Sequence, residues 1–304
     1  MKTIHFIFFI LIANMLIAQN NVIPLWPDEI PNYINAGEKE EVVEDGIIRI
    51  GKVQTPHLEV FLPSKSNSNG KGVLIFPGGG YSILAYDWEG IDIAKWLNSK
   101  GIAAFVVKNR LPDDASSKVG HLSPFLDARR AMRLVRFHAK EFNIDINKIG
   151  VMGFSAGGHL AATLTTHYDE DIPSIQDSIA LVDGRPDFSI LVYPVITMQF
   201  PYTHEGSRVA LLGGNPTAEL VELYSNETQV IPNTPPTILI HASDDTAVPV
   251  QNSLLFYEAL IRNGVAAEMH IYPSGGHGFS LAVGDHYLRT WTDRVVAWMD
   301  NLEK

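Results

Sequence analysis

Three polar residues of this chain each stand just after an apolar run, in the order Ser155, Asp245, His277. Ser155 lies in Gly153-Phe154-Ser155-Ala156-Gly157, between the apolar run 148–152 and the helix-like run 156–167. This matches a G-x-S-x-G turn from strand to helix. Small flanking residues let the serine take a strained conformation without collision. The helix N-terminus beneath it favours developing negative charge. A serine hydroxyl is a weak nucleophile and needs a base in contact. Histidine can accept its proton and return it to a leaving group. The candidate base is His277, in Gly275-Gly276-His277-Gly278. A carboxylate must orient that imidazole. Asp245 is the candidate, with Asp244 as its rival; the following Ala247-Val248-Pro249 fits Asp245 better. An oxyanion needs preorganised amide donors. The N–H of Ala156 is one candidate, and Gly79 or Gly80 of Pro77-Gly78-Gly79-Gly80-Tyr81 supplies the second. A phosphate loop would continue with Gly-Lys-Ser/Thr, whereas Tyr81-Ser82 follows here.

Other residues carry weaker signals. Tyr81, Tyr86 and Trp88 follow the glycine run and are placed either to line a sugar or acyl pocket or to pack. His159 and His241 read as structural. Arg129, Arg130, Arg133 and Arg136 read as a solvated or salt-bridged helix face, and Asp183, Arg185 and Asp187 as a polar loop. No H-E-x-x-H is present, and no metal or other cofactor is implied.

The positioning elements follow from periodicity. Continuous apolar runs at 73–76, 102–107, 148–152, 188–193, 237–241 and 267–272 suit strands buried on both faces. Helical spacing at 88–99, 124–142, 156–167, 252–263 and 287–302 alternates with them. That alternation implies an α/β fold with a mostly parallel central sheet flanked by helices. Ligands then bind beyond the C-terminal strand ends, where the three polar residues lie. Residues 46–53 and 58–62 read as short strands, and 64–72 as a polar hairpin connection. Residues 194–236 lack a clear period and read as a small insertion over the sheet edge, a lid or pocket wall. The chain divides into 1–18 (signal peptide), 19–45 (a loose lead-in) and 46–304 (one catalytic domain).

The signal reading rests on Lys2, the apolar run 4–17 and the small residue Ala18. It implies export, to a periplasm or the cell exterior, with no stable membrane insertion after cleavage. The 304 residues carry a net charge of −11, which disfavours nucleic acid and anionic membrane partners. There is no cysteine, so disulfides, thiolate metal sites and a lipid-attached cysteine are excluded.

These motifs, with Gly158-His159-Leu160-Ala161, His241-Ala242-Ser243-Asp244-Asp245 and Gly278-Phe279, resemble secreted bacterial esterases of the α/β-hydrolase superfamily. Residues 186–196, Gly206-Ser207-Arg208 and Leu211-Leu212-Gly213 are similar to the acetyl xylan esterase branch, and the likeness runs over 73–298. The resemblance implies a serine esterase that removes acetyl groups from plant polysaccharide by way of an acyl-enzyme. Feruloyl esterase or a general short-chain carboxylesterase is the alternative within enzymes, and an inactive sugar-binding relative outside them. The chain departs from the lipase-like pattern in having Pro77 before the glycines instead of histidine, and Asn109 where a tyrosine precedes the arginine.

Overall fold

The structure is a computed structural model that describes residues 22–112, 115–170, 175 and 177–302. The expected signal peptide lies outside the described residues. In chain order the strands are β1 (Val22–Pro24), β2 (Glu41–Asp45), β3 (Ile47–Gly51), β4 (His57–Phe61), β5 (Gly72–Phe76) and β6 (Leu84–Ala85). They continue with β7 (Ala103–Lys108), β8 (Ile149–Phe154), β9 (Ser189–Val192), β10 (Thr237–Ala242) and β11 (Ala267–Tyr272). The helices are α1 (Asp92–Ser99), α2 (Leu122–Phe137), α3 (Ser155–Thr166), α4 (Glu205–Leu212), α5 (Ala218–Leu223), α6 (Gln251–Arg262) and α7 (Trp291–Asn301).

The main sheet has eight strands in the order β1-β4-β7-β5-β8-β9-β10-β11. The run from β7 to β11 is parallel throughout, and β4 joins β7 antiparallel. Residues alternate between two apolar layers, as the strand period of two requires. Leu74, Phe76, Phe105, Val151, Leu191 and Leu239 face α2, α3 and α6. Val73, Ile75, Val106, Met152, Phe154, Ile190 and Ile238 face α1 and α7. This is the mostly parallel, helix-flanked sheet that the alternation of runs implies.

Several expectations need correction. The lead-in is not loose: β1 pairs antiparallel with β4 at the sheet edge, and β2 and β3 form a second, three-stranded sheet with β6. Leu25 and Trp26 are buried, and the Trp26 indole N–H donates to Asp127 Oδ1 at 2.7 Å. Residues 64–72 are not a hairpin connection, because β7 lies between β4 and β5. The 124–142 helix starts and stops earlier, at Leu122–Phe137. Residues 194–236 contain α4, α5 and a short 3-10 turn, Asn226–Thr228.

The arginine face is salt-bridged but not solvated, since Arg129, Arg130 and Arg136 are buried. Arg130 pairs with Asp177, and Arg136 pairs with Asp187, each within 3 Å (2.8 and 2.9 Å). Arg110 belongs to this interior as well. It is 1% exposed and forms a 2.8 Å ion pair with Asp127 beneath the sheet. Asn109 beside it is buried with its amide on the Arg110 carbonyl, so the departure at this position lies in the core.

Candidate active site

Ser155 sits where β8 turns directly into α3, with φ +51°. A side chain on Gly153 would place its Cβ 2.3 Å from the Gly157 carbonyl oxygen, and one on Gly157 would lie 2.1 Å from that of Phe76. Only glycine allows strand, serine and helix to approach this closely. The tight turn holds a non-glycine residue in a left-handed conformation, a strain of the kind found at functional sites.

The structure brings Ser155, His277 and Asp245 together from three strand ends. His277 Nδ1 lies 2.6 Å from Asp245 Oδ2, and its Nε2 lies 2.8 Å from Ser155 Oγ. An ionised carboxylate only accepts, so the ring proton sits on Nδ1. The Nε2 lone pair then faces the serine hydroxyl, the arrangement a general base needs. Burial pushes the Asp245 carboxyl up, yet His241, His277 and the Val248 N–H together hold it well below the usual range. Its second oxygen, Oδ1, accepts the N–H of Ala247 and Val248 at 2.9 and 2.8 Å. His241 is fully buried; its Nε2 lies 3.0 Å from the Val248 carbonyl and 3.3 Å from Asp245 Oδ2. It braces the Asp245 carboxylate and the turn that follows it. Asp244 enters the same region by another route, accepting the Gly276 N–H at 2.8 Å.

The glycine run lies against the serine. A Cβ on Gly78 would stand 2.9 Å from that of Ser155. Gly79 and Gly80 have φ +133° and +64°, and a Cβ on Gly79 would meet the Ile83 carbonyl oxygen at 2.1 Å. Among the described residues no protein acceptor takes the N–H of Gly79, Gly80 or Ala156. These are the amides that the sequence assigns to an oxyanion. Pro77 in place of histidine leaves them in position.

The two aromatic pocket candidates separate. Tyr81 is 5% exposed and does not line an open pocket. Its hydroxyl lies 2.7 Å from His159 Nδ1, while His159 Nε2 donates to the Tyr224 carbonyl at 2.8 Å. The Tyr224 oxygen only accepts, so Nδ1 carries no proton and Tyr81 is the donor. Both residues are core. Trp88 is 37% exposed, and its indole N–H donates to the Gly278 carbonyl at 2.9 Å, next to His277. Tyr86 is buried and donates to Glu59 at 3.0 Å.

Three residues beside the site escape sequence reasoning. Glu89 is buried and accepts from the Gly78 N–H and the Tyr193 hydroxyl, both at 2.8 Å. Burial raises its carboxyl, and those two donors partly offset the rise. Tyr193, buried just past β9, stacks edgewise on His277 at 5.0 Å. The strand-end rule that finds Ser155 applies equally to Tyr193. His204, within the 194–236 segment, caps α4 by accepting from the Ser207 N–H at 3.2 Å. Its Cε1 would lie 3.9 Å from a Cβ on Gly80. Burial and the neighbouring His277 charge both lower its pKa. No sequence pattern marks it. Among the described residues no group of three or more His, Cys, Asp or Glu is arranged to hold a metal ion.

Comparison with known proteins agrees with this architecture. The BD-FAE family profile matches residues 58–260. An acetylxylan esterase of Xylanibacter ruminicola is 39% identical over 257 residues, covering 83% of this chain and 49% of that protein. Endo-1,4-beta-xylanase B of Butyrivibrio fibrisolvens is 39% identical over 220 residues, 72% of this chain and 34% of that protein. The chain thus spans half or less of the length of these curated relatives. The crystal structure of an acetyl ester-xyloside bifunctional hydrolase from Caldicellulosiruptor lactoaceticus superposes with a TM-score of 0.81 at 41% identity. That match covers 93% of this chain and 96% of the other.

Proposed function

The chain belongs to the BD-FAE family and has the α/β-hydrolase fold, and from that premise we propose that it is a serine carboxylic-ester hydrolase releasing acetyl groups from xylan-type polysaccharide. One observation carries the reading: the continuous hydrogen-bonded chain from Asp245 through His277 to Ser155, beside unengaged amides. Ser155 Oγ attacks the ester carbonyl carbon as His277 Nε2 takes its proton. The carbonyl oxygen becomes an oxyanion held by the N–H groups of Ala156 and of Gly79 or Gly80. Collapse breaks the bond to the sugar oxygen, which leaves with the proton from His277. Water, deprotonated by His277, then attacks the acetyl-serine, and acetate departs as Ser155 regains its proton.

Acetylated xylan as substrate draws support from two relatives named an acetylxylan esterase and a xylanase, each 39% identical, and from the bifunctional hydrolase. The net charge of −11 suits a neutral polymer. Export draws on the apolar run 4–17 and Ala18; N-terminal sequencing of the protein recovered outside the cytoplasm would test it. The 194–236 segment serves as a wall of the pocket in this reading, because it brings His204 beside the glycine run.

Acetate release from acetylated xylan, run beside ferulate release from arabinoxylan, tests the substrate. Wild type should release acetate, and Ser155→Ala should release none while remaining folded. Full activity in Ser155→Ala would refute the nucleophile.

A further inference from the structure

Glu89 touches both halves of the site without belonging to the Ser155, His277, Asp245 chain. It sits on the wide π-type turn Asp87–Ile91 that leads into α1, and it is 4% exposed. Its two oxygens are committed to different loops. Oε2 accepts the N–H of Gly78, immediately ahead of the proposed oxyanion donors, at 2.8 Å. Oε1 accepts the Tyr193 hydroxyl at 2.8 Å. The Tyr193 oxygen in turn accepts the N–H of Ser280, three residues beyond His277, at 3.0 Å. The Tyr193 ring packs against His277 and Phe279, with centroids 5.0 and 4.5 Å away.

Trp88, the residue before it, adds a second strap. Its indole N–H donates to the Gly278 carbonyl, and its own carbonyl accepts the Ser280 hydroxyl. Tyr193 and Ser280 both hold positive φ, +36° and +45°. Non-glycine residues keep such conformations only where the surroundings over-determine them. A buried carboxylate is a poor means of stabilising a fold, because its desolvation rivals what its partners return. A turn that had only to close could use an apolar side chain. Here both oxygens reach the two loops that must keep register across Ser155.

We propose that Glu89, acting with Tyr193, is a positioning residue that fixes the glycine-loop amides relative to the His277 imidazole. This rests on the serine esterase reading above, since it presumes that Ser155 is the group acylated. Glu89→Gln is nearly isosteric and tests it. Glutamine keeps one acceptor, so it can satisfy the Gly78 N–H or the Tyr193 hydroxyl proton, but not both. Two readouts on the full chain suffice: the rate at which a serine-reactive phosphonate labels Ser155, and kcat and KM for an aryl acetate. In Glu89→Gln the labelling rate and kcat should fall by about 10- to 100-fold, the scale of losses from small misplacements. KM should stay within about threefold, because ground-state contacts are untouched. Tyr193→Phe, which removes one hydroxyl, should act in the same direction. The double variant should be little worse than the poorer single one, as for groups acting as a unit.

A folded Glu89→Gln or Tyr193→Phe with wild-type labelling and kcat overturns the proposal, even if its melting temperature drops. Should Glu89→Gln fail to fold, Tyr193→Phe decides alone. A wild type that the phosphonate does not label sinks the esterase reading and this inference with it. A labelled wild type with equally labelled variants sinks this inference only.

Discussion

Adjacent aspartates divide the work of holding His277. Asp245 accepts from the ring at 2.6 Å, and Asp244 accepts from the backbone of Gly276 at 2.8 Å. One sets the tautomer; the other places the loop. Asparagine at 245 can present an N–H to Nδ1, which stabilises the wrong tautomer. Asp245→Asn should therefore lower kcat by about 10³- to 10⁴-fold. Asp244→Asn keeps an oxygen for the Gly276 N–H and should cost about tenfold or less, the scale of one neutral hydrogen bond. Aryl acetate kinetics on the two variants check this, and equal losses would refute the division. The meeting of Ser155, Asp245 and His277 was legible because each follows an apolar run that reads as a strand. Tyr81 misled for a physical reason. An aromatic after a glycine run has the same appearance in sequence whether its hydroxyl meets a substrate or a buried His159, and only the fold places His159 opposite it. Glu89 was hidden by its helical spacing, which marks a face but not the strand ends packed on it.

At the scale of elements, sequence reads strands buried on both faces best, since a continuous apolar run with turn residues at each end has few other solutions. β5, β7, β8, β9, β10 and β11 all fall within two residues of the runs that announce them. Pairing is not local, and there the reading fails. Nothing in residues 64–72 tells that β7 will come between β4 and β5. The lead-in is the clearest case. Three residues of β1 are too few to show a period, yet they set Leu25 and Trp26 into the layer beneath the sheet. Trp26 donates to Asp127 at 2.7 Å, and the Arg130 guanidinium lies 4.9 Å over its ring. Asp127 is fully buried and already pairs with Arg110. Trp26→Ala would open a cavity and remove one donor from a buried carboxylate. The loss of unfolding free energy should be about 3–5 kcal/mol. Urea unfolding measures it, and a loss within the range of a surface substitution would show that the lead-in is merely laid on the domain.

For the whole molecule, acid is the condition that sets its groups against one another. His57 and His159 are pushed down from 6.5 to about 4, in both cases mainly by burial. As pH falls below 6.5 the unfolded chain protonates these rings, while the folded chain keeps them neutral until about 4. The unfolded state then binds more protons, so folded stability declines across that window. Asp245 is held below its ordinary 3.8, so its contribution is lost only in stronger acid, whereas that of Glu40, held below 4.5, begins to go at the lower end of the window. Glu89, Asp187 and Glu227 are raised and act with the opposite sign, favouring the folded state as they protonate. A measurement on wild type alone sums these effects, so a variant must isolate one. His159 is fully buried in α3, between Tyr81 and Tyr224, and its displacement corresponds to about 3 kcal/mol at roughly 1.4 kcal/mol per pKa unit. His159→Gln keeps a donor for the Tyr224 carbonyl and cannot titrate. It should start less stable near neutrality and then lose about 3 kcal/mol less than wild type between pH 6.5 and 4. Parallel stability curves over that interval would mean that His159 is already protonated in the fold. The decline over that interval would then rest on His57 beside the sheet edge instead of on the helix under the serine.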